Sequence, residues 1–133
     1  MKLLLSTMLA MALMLTAGIV STSAQKAEPL RISFAKGKSS ATKTGTLSDG
    51  EEMDFVFGAR AGQTVSLSVT STPKGRYHDF ALMGDGFEFQ TELDSYFDYS
   101  FTAPETGDYL VTVRKRAAEG VTTAKFYLVL SIR

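Results

Sequence analysis

The chain has 133 residues, 44% of them hydrophobic, with 14 basic and 14 acidic side chains, one histidine and neither cysteine nor tryptophan. That length holds one ordinary domain and hardly two. The missing cysteine excludes disulfide scaffolds, thiolate zinc sites, cysteine nucleophiles and lipid attachment through an N-terminal Cys; the single His78 excludes a multi-histidine metal site and argues against a Ser-His-Asp triad; and the balanced charge argues against a general nucleic-acid binder.

The chain opens as a secretory leader does. Lys2 precedes an apolar run from Leu3 to Val20, broken by Ser6, Thr7 and Thr16, and the small residues Ser21-Thr22-Ser23-Ala24 follow. Cleavage is expected after Ala24, which divides the chain into a signal peptide, 1–24, and a mature domain, 25–133. An uncleaved anchor is the competing reading, because the run is near the ~18–20 residues that span a bilayer. The small-residue exit and the polar Gln25-Lys26 favour cleavage, which places the mature chain in the periplasm with no membrane segment. Losing Lys2 leaves 13 basic and 14 acidic groups on 109 residues.

The mature chain has a period of two, not 3.6. Strands are expected at about 30–34, 41–47, 52–58, 64–71, 79–83, 86–90 (a weak one), 95–102, 107–115 and 124–132. Thr64-Val65-Ser66-Leu67-Ser68-Val69-Thr70 alternates strictly, so that Val65, Leu67 and Val69 face a core. Tyr109, Val111 and Val113 share one face, as do Phe97, Tyr99 and Phe101, and likewise Phe126, Leu128 and Leu130. Turn signals separate the runs, among them Ser48-Asp49-Gly50, Ala61-Gly62-Gln63, Pro73-Lys74-Gly75, Gly84-Asp85-Gly86 and Pro104-Glu105-Thr106-Gly107. Short strands punctuated in this way describe an all-β, jelly-roll-like antiparallel sandwich of about seven to nine strands. Phe34, Phe55, Phe57, Phe80, Phe97, Phe101, Phe126 and Tyr109 are its expected core aromatics.

Charge is unevenly placed. Eight acidic residues and no basic one lie between Asp79 and Val113, and Arg114-Lys115-Arg116 follows at once. Alternation sends Arg114 and Arg116 to solvent and Lys115 to the side of Val113. The basic trio either pairs with the acidic stretch or projects an arginine into a carboxylate-lined cleft of another protein, for which a planar, permanently charged fork is suited. Asp79, Asp85, Asp94 and Asp98 would offer oxygen ligands to calcium, but they lack a calcium-loop pattern and read better as solvated carboxylates. His78 is expected at the surface, and its neighbour Asp79 would point to the opposite face. No serine carries a nucleophile signature, so a hydrolase is not expected. No metal or cofactor is called for.

Several blocks together carry a resemblance. Phe34-Ala-Lys-Gly-Lys-Ser-Ser-Ala-Thr-Lys-Thr-Gly45 is followed by Phe55-Val56-Phe57, by Ala59-Arg-Ala-Gly-Gln63 leading into Val65-x-Leu67-x-Val69, by Leu93-Asp94-Ser95, by Thr106-Gly107-Asp108-Tyr109-x-Val111-x-Val113, and by Lys125-Phe126-Tyr127-Leu128. This order resembles the bacterial periplasmic inhibitors of g-type (goose-type) lysozyme over nearly the whole mature chain. Ala-Gly-Gln and Ala103-Pro-x-x-Gly-Asp-Tyr109 also resemble the broader pre-peptidase C-terminal-like sandwiches. The resemblance implies a non-enzymatic β-sandwich, monomeric or weakly dimeric, whose partner is a g-type lysozyme and whose loops enter the enzyme's cleft. It further implies an aromatic in the loop after the first long strand and an Arg in the loop near the C-terminus. Here the first of these loops reads Ser48-Asp49-Gly50-Glu51-Glu52, without an aromatic, and the second begins with Arg114-Lys115-Arg116. The candidate partner-binding residues are therefore Arg116, then Arg114, with Tyr77 and Asp49. The competing reading is a cell-envelope or glycan-binding module of the pre-peptidase type, with Tyr77, Phe87 and Phe89 as an exposed aromatic platform.

Overall fold

A computed structural model describes residues 27–92 and 96–133. The expected leader, 1–24, lies outside the described residues, as do Leu93-Asp94-Ser95 with their share of the resemblance and of the calcium set. Eight strands are formed among the described residues: β1 Leu30–Arg31, β2 Ser40–Ser48, β3 Glu52–Ala59, β4 Thr64–Thr72, β5 His78–Gly84, β6 Asp98–Thr102, β7 Gly107–Lys115 and β8 Thr123–Ile132. They make two four-stranded sheets, ordered β1-β3-β7-β5 and β2-β8-β4-β6. All pairings are antiparallel except the short β1–β3 pair, which is parallel.

Each strand lies in the opposite sheet from the one before it. The turns therefore carry the chain from one sheet to the other. The connections β2–β3, β4–β5 and β7–β8 gather at one end of the sandwich, here the near end. The connections β1–β2, β3–β4 and β6–β7 gather at the far end, where the Gly62 amide donates to the Ala103 carbonyl (2.9 Å) and the Ala61 amide to the Thr106 hydroxyl (2.9 Å).

The core is built from the inward residues of both sheets. Val65, Leu67 and Val69 meet Phe55, Phe57, Val111 and Val113, all at most 6% exposed. Each such side chain contributes roughly 1.5–3 kcal/mol by leaving water. Tyr109 stacks on Phe57 at 5.6 Å between centroids and satisfies its hydroxyl by donating to the Glu105 carbonyl at 2.6 Å. Phe34 and Phe101 are only partly buried but pack against this core. Phe97 lies outside it, half-buried beneath the Arg76 guanidinium at 4.7 Å.

The weak strand at 86–90 does not form. Gly86 takes a positive φ of 91°, and the following chain makes only an isolated bridge, Met83 to Gln90. Its two aromatics fold inward instead: Phe87 and Phe89 meet the Tyr109 ring edge-on at 5.0 and 5.3 Å. They close the far end of the sandwich, while Tyr77 precedes the opposite end of β5. The three rings form no common platform. Likewise the strand expected over 30–34 is cut to Leu30–Arg31, and in the run expected over 95–102 the described residues form regular strand from Asp98 to Thr102.

The register places Gly45 opposite Phe126, where a Cβ would stand 2.7 Å from the phenyl ring and 3.0 Å from Met53 Cε. Phe126 is fully buried and cannot withdraw. Gly45→Val is expected to lower the unfolding free energy by about 1–3 kcal/mol through overpacking, as measured by urea titration. A change near zero would mean that β2 shifts freely.

Candidate functional site: the near-end loop edge

The near end is organised by the last residues of β7. Alternation holds to the end of the strand, so Val113 and Lys115 point inward and Arg114 and Arg116 outward. Lys115 is fully buried. Its ammonium donates to Asp49 Oδ1 (2.5 Å) on the β2–β3 turn, and to the carbonyls of Arg116 (2.6 Å) and Val121 (2.7 Å) in the β7–β8 loop. The Tyr77 ring lies 5.5 Å from the same nitrogen. That ring also covers Gly75, at which a Cβ would come within 2.5 Å of it. Backbone bonds complete the edge: Asp49 N–H to Thr122 O (2.9 Å), Gly50 N–H to Lys115 O (3.0 Å) and Arg116 N–H to Tyr77 O (2.9 Å).

Two residues expected in solvent are internal. Asp79 is 1% exposed, because the register sets it across from Arg114 and two guanidiniums close over it. Arg116 Nε binds its Oδ2, and Arg114 Nε stands 3.5 Å from its Oδ1. The basic trio thus does pair with the acidic stretch, but with a buried carboxylate rather than a solvated one. His78, also 1% exposed, points the other way, as adjacent strand residues must. It packs on Phe126 at 5.4 Å and exchanges a 2.7 Å hydrogen bond between Nδ1 and the Ser71 hydroxyl.

All four sequence candidates therefore meet at one edge: Arg116, Arg114, Tyr77 and Asp49. Their exposures differ. The Arg116 side chain is 47% exposed, Asp49 33% and Arg114 30%. The internal supports Lys115, His78 and Asp79 were not among the candidates. Lys115 carried a usable signal, a lysine at an inward position of an otherwise apolar strand face. Asp79 carried none, since its burial depends on cations 35 and 37 positions away. Among the described residues no three potential metal ligands gather, and Asp79 is committed to arginines, so the calcium arrangement finds no support.

No family model matches the chain. The inhibitor of g-type lysozyme from Escherichia coli (strain K12) is 30% identical to it over 109 residues, covering 77% of each chain. This chain belongs to the family of g-type lysozyme inhibitors. The solved structure of a family member, the periplasmic inhibitor PliG of Salmonella Typhimurium, is 25% identical, with a TM-score of 0.62, over 81% of this chain and all of that one. The pre-peptidase C-terminal domain of Bacillus anthracis collagenase shares the fold, at 19% identity and a TM-score of 0.57, over 84% of this chain and all of that domain. The family's architecture here carries a buried cationic brace beneath an arginine-bearing edge.

Burial pushes the His78 imidazole below its ordinary value of 6.5; the Ala124 backbone opposes this shift, Lys115 reinforces it by repulsion and Asp79 opposes it. The unfolded chain therefore binds a proton more readily than the folded one as pH falls past that ordinary value. The stability that neutral His78 contributes is complete above it and is lost as pH drops toward the lowered folded value. Thermal melts are expected to show a lower midpoint at about pH 5.5 than at about pH 7.5, with the difference reduced in His78→Gln. Equal pH dependence in the two proteins would remove His78 as its source.

Proposed function

We propose that the protein is a periplasmic, non-catalytic inhibitor of g-type lysozyme, acting by insertion of its near-end loop edge into the enzyme's cleft. Family membership supports the activity and the partner. The observation that supports the mode is Arg116, half exposed at the rim while its backbone and Nε are tied to the sandwich. Glycoside hydrolases act through paired carboxyl groups. A guanidinium is a fitting plug for such a site, because it binds carboxylate bidentately and keeps its charge when desolvated. A side chain held by a rigid scaffold loses little ordering entropy on insertion, so few contacts suffice for tight binding.

Within this reading Arg116 is the inserted group, and Tyr77, half-buried beside it, contributes the aromatic contact of the edge. Arg114 and Asp49 border the contact and are also held by ion pairs inside the molecule. The leader expected over 1–24 fits delivery to the periplasm. The glycan-module reading loses its aromatic platform to the closure of the far end and is not favoured.

Lysis of peptidoglycan followed by turbidity tests this function. The protein is expected to protect against g-type lysozyme and to co-elute with it on a sizing column. Arg116→Ala is expected to raise the inhibition constant at least about tenfold, equivalent to about 1.4 kcal/mol. A correctly folded Arg116→Ala protein with undiminished inhibition would clear that residue, and absence of protection by the native protein would end the reading.

A further inference from the structure

We propose that Lys115 is a positioning residue for inhibition: its buried ammonium locks the β2–β3 turn to the β7–β8 loop and thereby fixes the direction in which Arg116 projects. The proposal rests on the reading of the near-end edge as the inhibitory surface. Lys115 itself is fully buried and offers no surface to a partner, so any effect it has on inhibition passes through its neighbours.

An ammonium has three donors and no acceptor. Here all three are spent, and each is spent on a different point of the edge. One holds the carboxylate of Asp49 on the β2–β3 turn; the others hold the carbonyls of Arg116 and Val121, near the two ends of the β7–β8 loop. The bond to the Arg116 carbonyl sets the peptide plane that follows Arg116. The bond from the Arg116 amide to Tyr77 O sets the one that precedes it. With Nε on Asp79, the arginine is oriented from its backbone on both sides and from its side chain. Removing the ammonium would leave the two loops joined only by backbone bonds, Asp49 N–H to Thr122 O and Gly50 N–H to Lys115 O, and leave Arg116 anchored by only part of this set. Loops and long side chains that must be ordered on binding weaken the complex.

The test joins inhibition to amide hydrogen exchange on the purified protein. Lys115→Met keeps the length and apolar stem while deleting the donors, and Asp49→Ala removes one acceptor from a partly exposed position. Both are expected to speed exchange at the Gly50 and Val121 amides, to leave Phe80 in β5 protected, and to raise the inhibition constant about tenfold. Asp49 and Thr122 lie one step beyond the last paired residues of β2 and β8, Ser48 and Thr123, and are joined by the 2.9 Å backbone bond, which keeps their backbones close, as a disulfide requires. Because the chain has no cysteine, Asp49→Cys with Thr122→Cys gives a single defined crosslink. Oxidised, it is expected to restore inhibition in the Lys115→Met background although the Asp49 carboxylate is gone. Faster loop exchange with an unchanged inhibition constant in both single variants overturns the proposal, as does unchanged loop exchange. If Lys115→Met loses protection at Phe80 as well, the same outcomes are read from Asp49→Ala. Absence of inhibition by the native protein would instead remove the inhibitory reading itself.

Discussion

A cation inside a β-sandwich must find acceptors, and the near end of this protein is arranged around the three that Lys115 finds. Burying an ammonium costs several kcal/mol unless its donors are satisfied and its charge is matched. That requirement adds directed side-chain bonds between a turn and a loop whose flanking strands are already paired, β2 with β8 and β3 with β7. The β2–β3 turn must bring Asp49 inward, and the β7–β8 loop must turn two carbonyls toward the same point. The rim that results is held by electrostatics with defined directions, where a cluster of apolar side chains would leave it free to slide.

The two ends of the sandwich solve the problem of closure differently. Because every strand crosses to the other sheet, both ends are ringed by connections and both expose the edge of the core. At the far end, Phe87, Phe89 and Phe101 converge on Tyr109, whose hydroxyl is taken up by Glu105. This is an oily plug that contributes stability by packing on the core. At the near end, the corresponding space holds Lys115 and His78, while Asp79 is buried on the opposite face of β5 beneath the guanidiniums of Arg114 and Arg116. The proposed inhibitory surface lies at the end where charge is already buried and fixed.

Most strands were legible because their signal is local. Strict alternation over β4, β7 and β8, bounded by Gly, Pro and Asp turns, specifies both the element and its buried face. The same alternation correctly turned Lys115 inward and its flanking arginines outward. What escaped the sequence was non-local. Asp79 and His78 have polar side chains on an edge strand and read as solvated; they are internal because β7 delivers Arg114 and Lys115 across from them. Residues 86–90 alternate well enough for a strand, yet the aromatics gain more by packing on Tyr109 than by extending an edge. The path between the sheets escaped it for a related reason: turn chemistry fixes that the chain reverses, not which sheet it rejoins.

The pairing of Arg116 with Asp79 raises the question of whether an arginine already bound to a carboxylate can serve another. The donor geometry answers it. Asp79 faces two guanidiniums, those of Arg114 and Arg116, and Glu52 stands across from Arg114 in the β3–β7 register. A guanidinium offers five donors in a planar fork, more than one carboxylate can accept. Arg116 can therefore keep its bond to Asp79 through Nε and meet a second acid at its exposed end. Asp79 then limits where the arginine reaches without cancelling its attraction for an anionic site. Lys115 acts on the backbone as Asp79 acts on the side chain, and the two buried charges together turn a flexible cation into a directed one.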